Sequence, residues 1–495
     1  MSYSATSGIQ HEEPLLFEHA HKAAESISLP GVAGDVPAAL EVFARKALAG
    51  IPGLSEPEAV RHFVRLSQWN HGIETGFYPL GSCTMKYNPR VNEQVVRLSG
   101  LAHVHPDQPE DSVQGVLALL YELQTWLGEI SGLPYVTLQP AAGAHGELTG
   151  MMMIRAYHDS RNDTKRRKVL VPDSAHGTNP ASAVLAGMHT VEIKSGINGR
   201  IDLEVLKANL DDETAALMLT NPNTTGMFES DIAEICRLVH EAGGLVYGDG
   251  ANLNALVGIA RPGDMGIDCL HINVHKTFAT PHGGGGPGAG PVAVNDVLQP
   301  FLPLPRIEQS GDSYNIVKTS QHSIGPVFGS LGQTGVLLRA AAYIAAFGRE
   351  HLHKIAEDAV LNANYVRVRL ADTYHVPFPG LCKHECLLTD AIQNRHGVKT
   401  LDIAKRLIDL GFHPMTVYFP LIVHGAMLIE PTETESKDTL DAFCDAMLEI
   451  AEQCEAGDTE AIHAAPMMPI RRRLDETQAA RKPVLVWNDE EEVKE

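Results

Sequence analysis

"CLHINVHKTFATPHGGGGPGAGPVAV" occupies residues 269–294. Its first six residues form a short, mostly apolar run. Such a run marks a strand buried on both faces, as in a mostly parallel sheet covered by helices. The run ends at His275 and Lys276, and six glycines follow within Gly283–Gly290. The glycines formally contain G-x-G-x-x-G at Gly283, Gly285 and Gly288. A dinucleotide fingerprint should follow a strand directly and open a helix. Here Pro287 interrupts it and a strand-like "PVAV" follows, and the chain has no G-x-x-x-x-G-K-[ST] loop. The bare backbone therefore reads as packed close to a ligand and a neighbouring chain, where side chains would clash.

The same texture repeats upstream. "YVTLQ" (135–139), "KVLVP" (168–172), "HTVEI" (189–193), "ALMLT" (216–220) and "LVYGD" (245–249) alternate with loops and helical stretches. The chain thus reads as α/β, with a mostly parallel seven-stranded sheet in a large domain over 111–344. Within it, "DSVQGVLALLYELQTWLGEISG" (111–132) has helical spacing, with Asp111 or Ser112 as its cap and Gly132 as its stop. Residues 1–110 are Pro-rich and read as an arm or interface segment, with a helical patch at "VPAALEVFARKALAG" (36–50). Residues 345–480 read as a smaller α+β domain, and 481–495, with "NDEEEVKE", as an acidic disordered tail.

Composition narrows the function. The 495 residues are 44% hydrophobic and 20% charged, enough for a large core without disulfide or metal staples. A formal charge of −22 repels phosphate backbones and anionic membranes, which argues against nucleic-acid binding. The best basic run, "KRRK" (165–168), reads as a solvated loop. Seven scattered cysteines fit a reducing cytoplasm. "CKHEC" (382–386) lacks a second ligand pair at zinc spacing, so it reads as the start of a buried strand and no metal site is expected. The first residues lack the features of a signal or transit peptide, and no stretch approaches a membrane span.

In sheets of this kind, ligands sit at the carboxyl ends of the strands. After "YVTLQ", Ala142, Gly143 and Ala144 open a helix with bare N–H groups, an anion cradle if it is not simply a tight turn. After "KVLVP" comes His176; after "ALMLT" comes Asn223, which either offers an amide or serves a plain Asn-Pro turn. After "LVYG" comes Asp249, a helix cap or a buried carboxylate facing a cation, with Gly250 and Ala251 leaving flat space beside it. After "CLHINV" comes Lys276, an amine placed to act as a nucleophile if the strand end buries it. Each signal alone is weak. Together they bring an anion cradle, a flat ring, an amide, a carboxylate and an amine to one rim. An amine that condenses with an aldehyde, a carboxylate for a protonated ring nitrogen and a helix start for a phosphate suit pyridoxal 5′-phosphate.

"HKTFATPHGGGGPGAGP" (275–291), "YGDGANLNA" (247–255), "PDSAHGTNPASA" (172–183), "YPLGSCTMKYNP" (78–89) and "RRRLDETQAARKPVL" (471–485) resemble glycine decarboxylase, the P-protein family of the glycine cleavage system. The likeness runs from about residue 70 to 487. The fused P-protein is about twice as long, and only its lysine-bearing half is matched. The resemblance therefore implies the second subunit of a two-subunit form, with a subunit 1 partner and a lipoylated H-protein as acceptor. It implies the aspartate-aminotransferase fold (fold type I), glycine as substrate and pyridoxal phosphate as cofactor. By motif, Lys276 is the Schiff-base lysine and Asp249 the partner of the pyridine nitrogen. His176 is implied on one ring face and Ala251 against the other, Asn223 at the ring hydroxyl, and Asn273 and His275 at the phosphate. "GSCTMKYN" is implied at the site mouth, with no role assigned to Cys83 or Lys86. The rival readings are a decarboxylase of the same fold that needs no lipoyl carrier and a scaffold without activity.

Overall fold

A computed structural model describes residues 13–18, 42–43, 53–282 and 288–485. The helical patch at 36–50 lies almost wholly outside the described residues, as do the tail after 485 and Gly283–Pro287.

Ahead of the sheet come helices α1 (Glu56–Ser67) and α2 (Arg90–Val96). Then α3 (Gln114–Ser131) buries Val116, Leu117, Leu120, Leu123 and Leu127 along one stripe. It ends as expected at Gly132, which takes the left-handed conformation at φ 72°. Its start differs. Asp111 and Ser112 lie in a 3₁₀ turn, and Val113 takes the cap position with no side-chain bond.

The seven strands are β1 (Tyr135–Thr137), β2 (Lys168–Pro172), β3 (His189–Ile193), β4 (Thr214–Thr220), β5 (Leu245–Gly250), β6 (Cys269–Ile272) and β7 (Val292–Val294). They form one sheet in the order β1-β7-β6-β5-β4-β2-β3. Only β7 runs against its neighbours. Every residue of β2, β4, β5, β6 and β7 is buried. β3 departs from its apolar reading because it is the edge, with His189 and Glu192 exposed. Interleaved with the strands are α4 (Gly143–Ser160), α5 (Thr178–Leu185), α6 (Leu203–Asn209) and α7 (Ile232–Glu241). Parallel register sets Thr220 beside Asp249 and Asp249 beside His271, so the strand ends align into one rim.

"KRRK" is not simply a solvated loop. The Arg166 guanidinium donates to the carbonyls of Thr214 and Ala242, each at 2.7 Å, and pairs with Asp163 at 2.8 Å. Lys168 is buried at the head of β2 and donates to the Asn209 carbonyl at 2.7 Å. The basic run staples the amino-terminal edge of the sheet.

A hairpin, β8 (Arg306–Ser310) with β9 (Ser313–Val317), precedes α8 (Thr334–His351). The expected domain boundary at 344/345 falls inside α8. The chain breaks instead at Gly348 (φ 66°, ψ 171°) and continues as α9 (His353–Leu370). The smaller α+β body pairs β10 (Cys386–Thr389) and β11 (Thr416–Val417) antiparallel on β12 (Ala426–Ile429), with α10 (Thr400–Asp409) and α11 (Lys437–Glu455). Its core gathers Leu388, Met427, Ile429, Phe443, Met447 and Ile450. The stretch after residue 53 is more than an arm. Phe77 packs edge-on against Phe443 in this core, and Leu80 bridges to Ile429. Residues 81–86 are thereby carried to the rim of the large sheet. No helix among the described residues is long and apolar enough to cross a membrane.

Candidate active site

Five strand-to-helix passages meet at the rim. Lys276 lies in a single helical turn, Val274–Thr277, directly after β6. It is half-buried, and its Nζ donates to the Ser82 carbonyl at 2.7 Å. That carbonyl belongs to a turn in which Ser82 and Thr84 both adopt positive φ, 64° and 52°. Two carboxylates from the small body hold the turn. Glu385 accepts the Ser82 N–H at 2.7 Å, and Glu430 accepts the Thr84 N–H at 2.9 Å. Glu385, Glu430 and His384 are fully buried together, and the His384 Nε2 lies 3.8 Å and 3.9 Å from the two carboxylates. Burial and the neighbouring Glu430 push Glu385 well above the ordinary carboxylate range. The cysteines of "CKHEC" turn away from this cluster into the apolar core, and burial holds Cys382 up to about 12 as a neutral thiol.

Lys86, left without a role by the sequence, anchors the next turn. Its buried Nζ donates to the Thr277 carbonyl at 2.8 Å and to Glu433 at 2.7 Å, and Glu433 also accepts from the Tyr343 hydroxyl. Lys86 therefore positions the backbone one residue beyond Lys276.

Asp249 is 5% exposed at the end of β5. Its Oδ1 accepts the Ala251 N–H at 2.9 Å and lies 3.4 Å from His271 Nε2. Burial keeps His271 neutral, and its Nδ1 shares a 2.6 Å hydrogen bond with the Tyr247 hydroxyl. Gly250 does not leave flat space beside the carboxylate. A Cβ there would stand 1.9 Å from the His271 carbonyl, so its bare face is filled by β6.

His176 stands exposed on the loop before α5, with Nδ1 2.9 Å from the Thr178 hydroxyl, and it feels the charges of both Asp249 and Lys276. Asn223 departs from expectation. Its Oδ1 accepts from the Thr225 N–H, the Thr225 hydroxyl and the Met227 N–H, and its Nδ2 donates to the Gly199 carbonyl and Glu229. Both ends of the amide are spent on building the turn. The buried amide nitrogen without a partner at this strand end is that of Asn221.

The anion cradle is built. α4 starts at Gly143 with Ala142 as its cap residue and no side-chain cap bond. The first intrahelical bond comes from the Gly146 N–H, so those of Gly143, Ala144 and His145 stay free among the described residues. Asn273 faces this start, buried, with Oδ1 unpartnered, and a Cβ on Gly143 would meet it at 2.6 Å. His275 Nδ1 is likewise unpartnered, and burial with His282 nearby lowers its pKa to about 3, so it is neutral. The bare helix start, the Asn273 Nδ2 that a Cβ on Gly143 would meet at 2.9 Å and the unpartnered His275 Nδ1 fit a phosphate group. The described part of the glycine run closes the cradle: a Cβ on Gly290 would stand 2.2 Å from the Ala142 carbonyl. Gly290→Ala must push the start of α4 aside, and about tenfold weaker pyridoxal phosphate binding is expected by equilibrium titration, with the fold retained by circular dichroism.

An amine after one strand, a carboxylate after the next and an uncapped helix start on a sheet of this topology define the class of fold type I pyridoxal enzymes. A solved glycine decarboxylase (P-protein) of the glycine cleavage system, in inhibitor-bound form, superposes with a TM-score of 0.70 at 21% identity, covering 83% of this chain and 92% of that one. The Escherichia coli cysteine desulfurase CsdA superposes at 0.59 and 16% identity, over 81% and 99% of the chains. Residues 28–315 match the family model described as glycine cleavage system P-protein, and 355–468 that of the glycine dehydrogenase C-terminal domain. Proteins named "probable glycine dehydrogenase (decarboxylating) subunit 2" are 53% identical in Listeria innocua and in Exiguobacterium sibiricum, each over 97% of this chain and 99% of its own length. The chain belongs to the glycine cleavage system P-protein family.

Among the site residues that escaped the sequence reading, three surround Asp249. Glu147 follows the cradle within α4, His271 interrupts an otherwise apolar strand, and Asn179 sits inside "GTNPAS". The signal for the first two was a polar residue at a position the periodicity marks as buried.

Proposed function

We propose that this chain is the lysine-bearing subunit of a glycine decarboxylase. It binds pyridoxal phosphate and glycine, releases carbon dioxide and passes the aminomethyl group to the lipoyl arm of an H-protein. It works with a subunit 1 partner in the cytoplasm. The observation that carries this reading is the meeting of Lys276, Asp249 and the uncapped α4 start at one sheet rim. When bound, pyridoxal phosphate supplies an aldehyde for the amine and a ring that takes up the electron pair left behind by carbon dioxide.

The chain's residues do the rest. The N–H groups of Gly143 and Ala144, with Asn273 and His275, receive the phosphate; His275 is neutral and can donate without adding charge. Asp249 keeps a buried negative charge for the protonated ring nitrogen, and His176 and Ala251 border the ring. Asn221 takes the place first expected of Asn223. Lys276 is the amine that would hold the aldehyde, and the Ser82 carbonyl, which accepts from its Nζ, would orient it there. Lys86 and the Glu385–Glu430 pair keep that carbonyl and the Lys276 turn in place.

The test is carbon dioxide release from carboxyl-labelled glycine. The chain is co-purified with its presumed subunit 1 and assayed with and without lipoylated H-protein. Release that needs both partners is expected. Equal release without the carrier would replace the reading by a simple amino-acid decarboxylase.

A further inference from the structure

Glu147 lies one turn inside α4, 4% exposed, below the rim and beside Asp249. Its Oε1 accepts from the Thr178 hydroxyl at 2.7 Å, and its Oε2 accepts from the Ser182 hydroxyl at 3.2 Å. With its amide nitrogen facing the two carboxylates, Asn179 donates to Glu147 Oε2 at 3.0 Å and to Asp249 Oδ2 at 3.1 Å. Thr178 in turn meets His176 Nδ1, through its hydroxyl at 2.9 Å and its N–H at 3.2 Å. One carboxyl group thus stands at the junction of two short chains of hydrogen bonds. One ends on Asp249 and the other on His176, the two side chains that face the proposed cofactor ring.

The junction has a direction. When Glu147 is ionised, the Thr178 hydroxyl donates to it and has only lone pairs left for His176. His176 Nδ1 accepts the Thr178 N–H at 3.2 Å, so the hydroxyl adds no donor to it in this state. When Glu147 is protonated on Oε1 it donates to Thr178, and the hydroxyl is freed to donate to His176 Nδ1 beside the Thr178 N–H. The one proton gained is the one on Glu147; the imidazole keeps its hydrogen on Nε2, and what changes is whether Nδ1 receives one donor or two.

We propose that Glu147 is the positioning residue of the ring site: through Asn179 it holds the Asp249 carboxylate in place, and through the Thr178 hydroxyl it sets how firmly His176 Nδ1 is held. This deepens the function proposed above and rests on pyridoxal phosphate occupying the site. Burial and Asp249 raise Glu147 to about 7, while Thr178, Ser182 and Lys276 pull it down. The remaining titratable groups around it are His271 and Tyr247, both fully buried and neutral, and His176 at the rim. Both hydrogen-bonding patterns are therefore reachable near neutral pH.

The experiment follows the absorbance of bound pyridoxal phosphate against pH, with its dissociation constant, in the full chain and in Glu147→Gln and Glu147→Ala. The unaltered chain should show a one-proton step near the Glu147 midpoint. Glu147→Gln, which fills the same space without titrating, should lose the step. Glu147→Ala should also bind the cofactor about tenfold more weakly, the usual scale for removing a supporting shell. A step that persists unmoved in Glu147→Gln, with affinities unchanged in both variants, overturns the proposal. Should Glu147→Gln not fold, Thr178→Val cuts the His176 branch alone. It should raise the midpoint by about half a pH unit, the equivalent of one lost hydrogen bond to the ionised acid. A midpoint that stays put overturns the proposal as well. If the unaltered chain takes up no pyridoxal phosphate, the cofactor reading itself has failed, which is a different result from failure at Glu147.

Discussion

Lys276→Ala is expected to leave a folded chain that no longer holds pyridoxal phosphate covalently and releases carbon dioxide from glycine at least about a thousandfold more slowly. The loss follows from position. Lys276 is the one lysine that directly follows the apolar run of β6, and its turn is fixed from two sides, by Ser82 and by Lys86. Lys86 cannot substitute for it. Its Nζ is buried and committed to Glu433 and to the Thr277 carbonyl, so freeing it would strand a buried carboxylate. Folding should be nearly untouched, because Lys276 contributes a single hydrogen bond to Ser82, worth about 1 kcal/mol. The check has two parts. Borohydride reduction followed by peptide mass analysis should find the cofactor on the peptide containing residue 276 in the unaltered chain and nowhere in the variant. Thermal unfolding should differ by only a few degrees. A variant that still fixes the cofactor covalently and turns over would remove Lys276 from the site.

The parts of this site that the sequence displays are the ones a strand end makes visible. Asp249 and Lys276 are the first charged residues after runs that must be buried on both faces, so the pattern that locates the strands also locates them. The helix start at Gly143 is visible for the same reason, since bare residues directly after a strand leave N–H groups open. What stayed hidden depends on contacts between distant segments. Lys86 finds Glu433 across 347 positions, and Ser82 finds Glu385 across 303, and no local periodicity records such pairs. Asn223 was misread because an Asn-Pro turn can either offer its amide or consume it. Here the closing N–H groups of Thr225 and Met227 consume it. The basic run at 165–168 was misread in the same way: only the folded chain brings the Thr214 and Ala242 carbonyls within reach of Arg166. The stretch from 53 to 112 carries no strand-like run, yet its residues 77–86 join the two bodies at the site.

Asp249→Asn tests the electrostatics of the site with the smallest change of shape. The carboxylate is buried, with the Ala251 N–H and the Asn179 amide as donors and neutral His271 nearby, and Glu147 beside it adds to the negative potential. A cationic ring nitrogen would be the missing counter-charge, and a neutral amide cannot supply that pairing. The ring would then take up the electron pair less well, and the interaction lost is one that matters most as charge develops. Removing a preorganised group of this kind costs about 10²–10³-fold in kcat. KM for glycine should change little, since Asp249 faces the ring and not the substrate carboxylate. The variant should also hold pyridoxal phosphate more weakly, because the pyridine nitrogen no longer gains a charge partner. Stability should rise slightly or stay level without cofactor, because a buried charge close to Glu147 has been removed. Steady-state kinetics with the partner subunit and lipoylated H-protein decide it. A kcat within about fivefold of the unaltered enzyme would show that the electron pair is stabilised elsewhere. A fall in kcat with unchanged KM would place the negative charge of Asp249 at the centre of the reaction, where the strand end carries it.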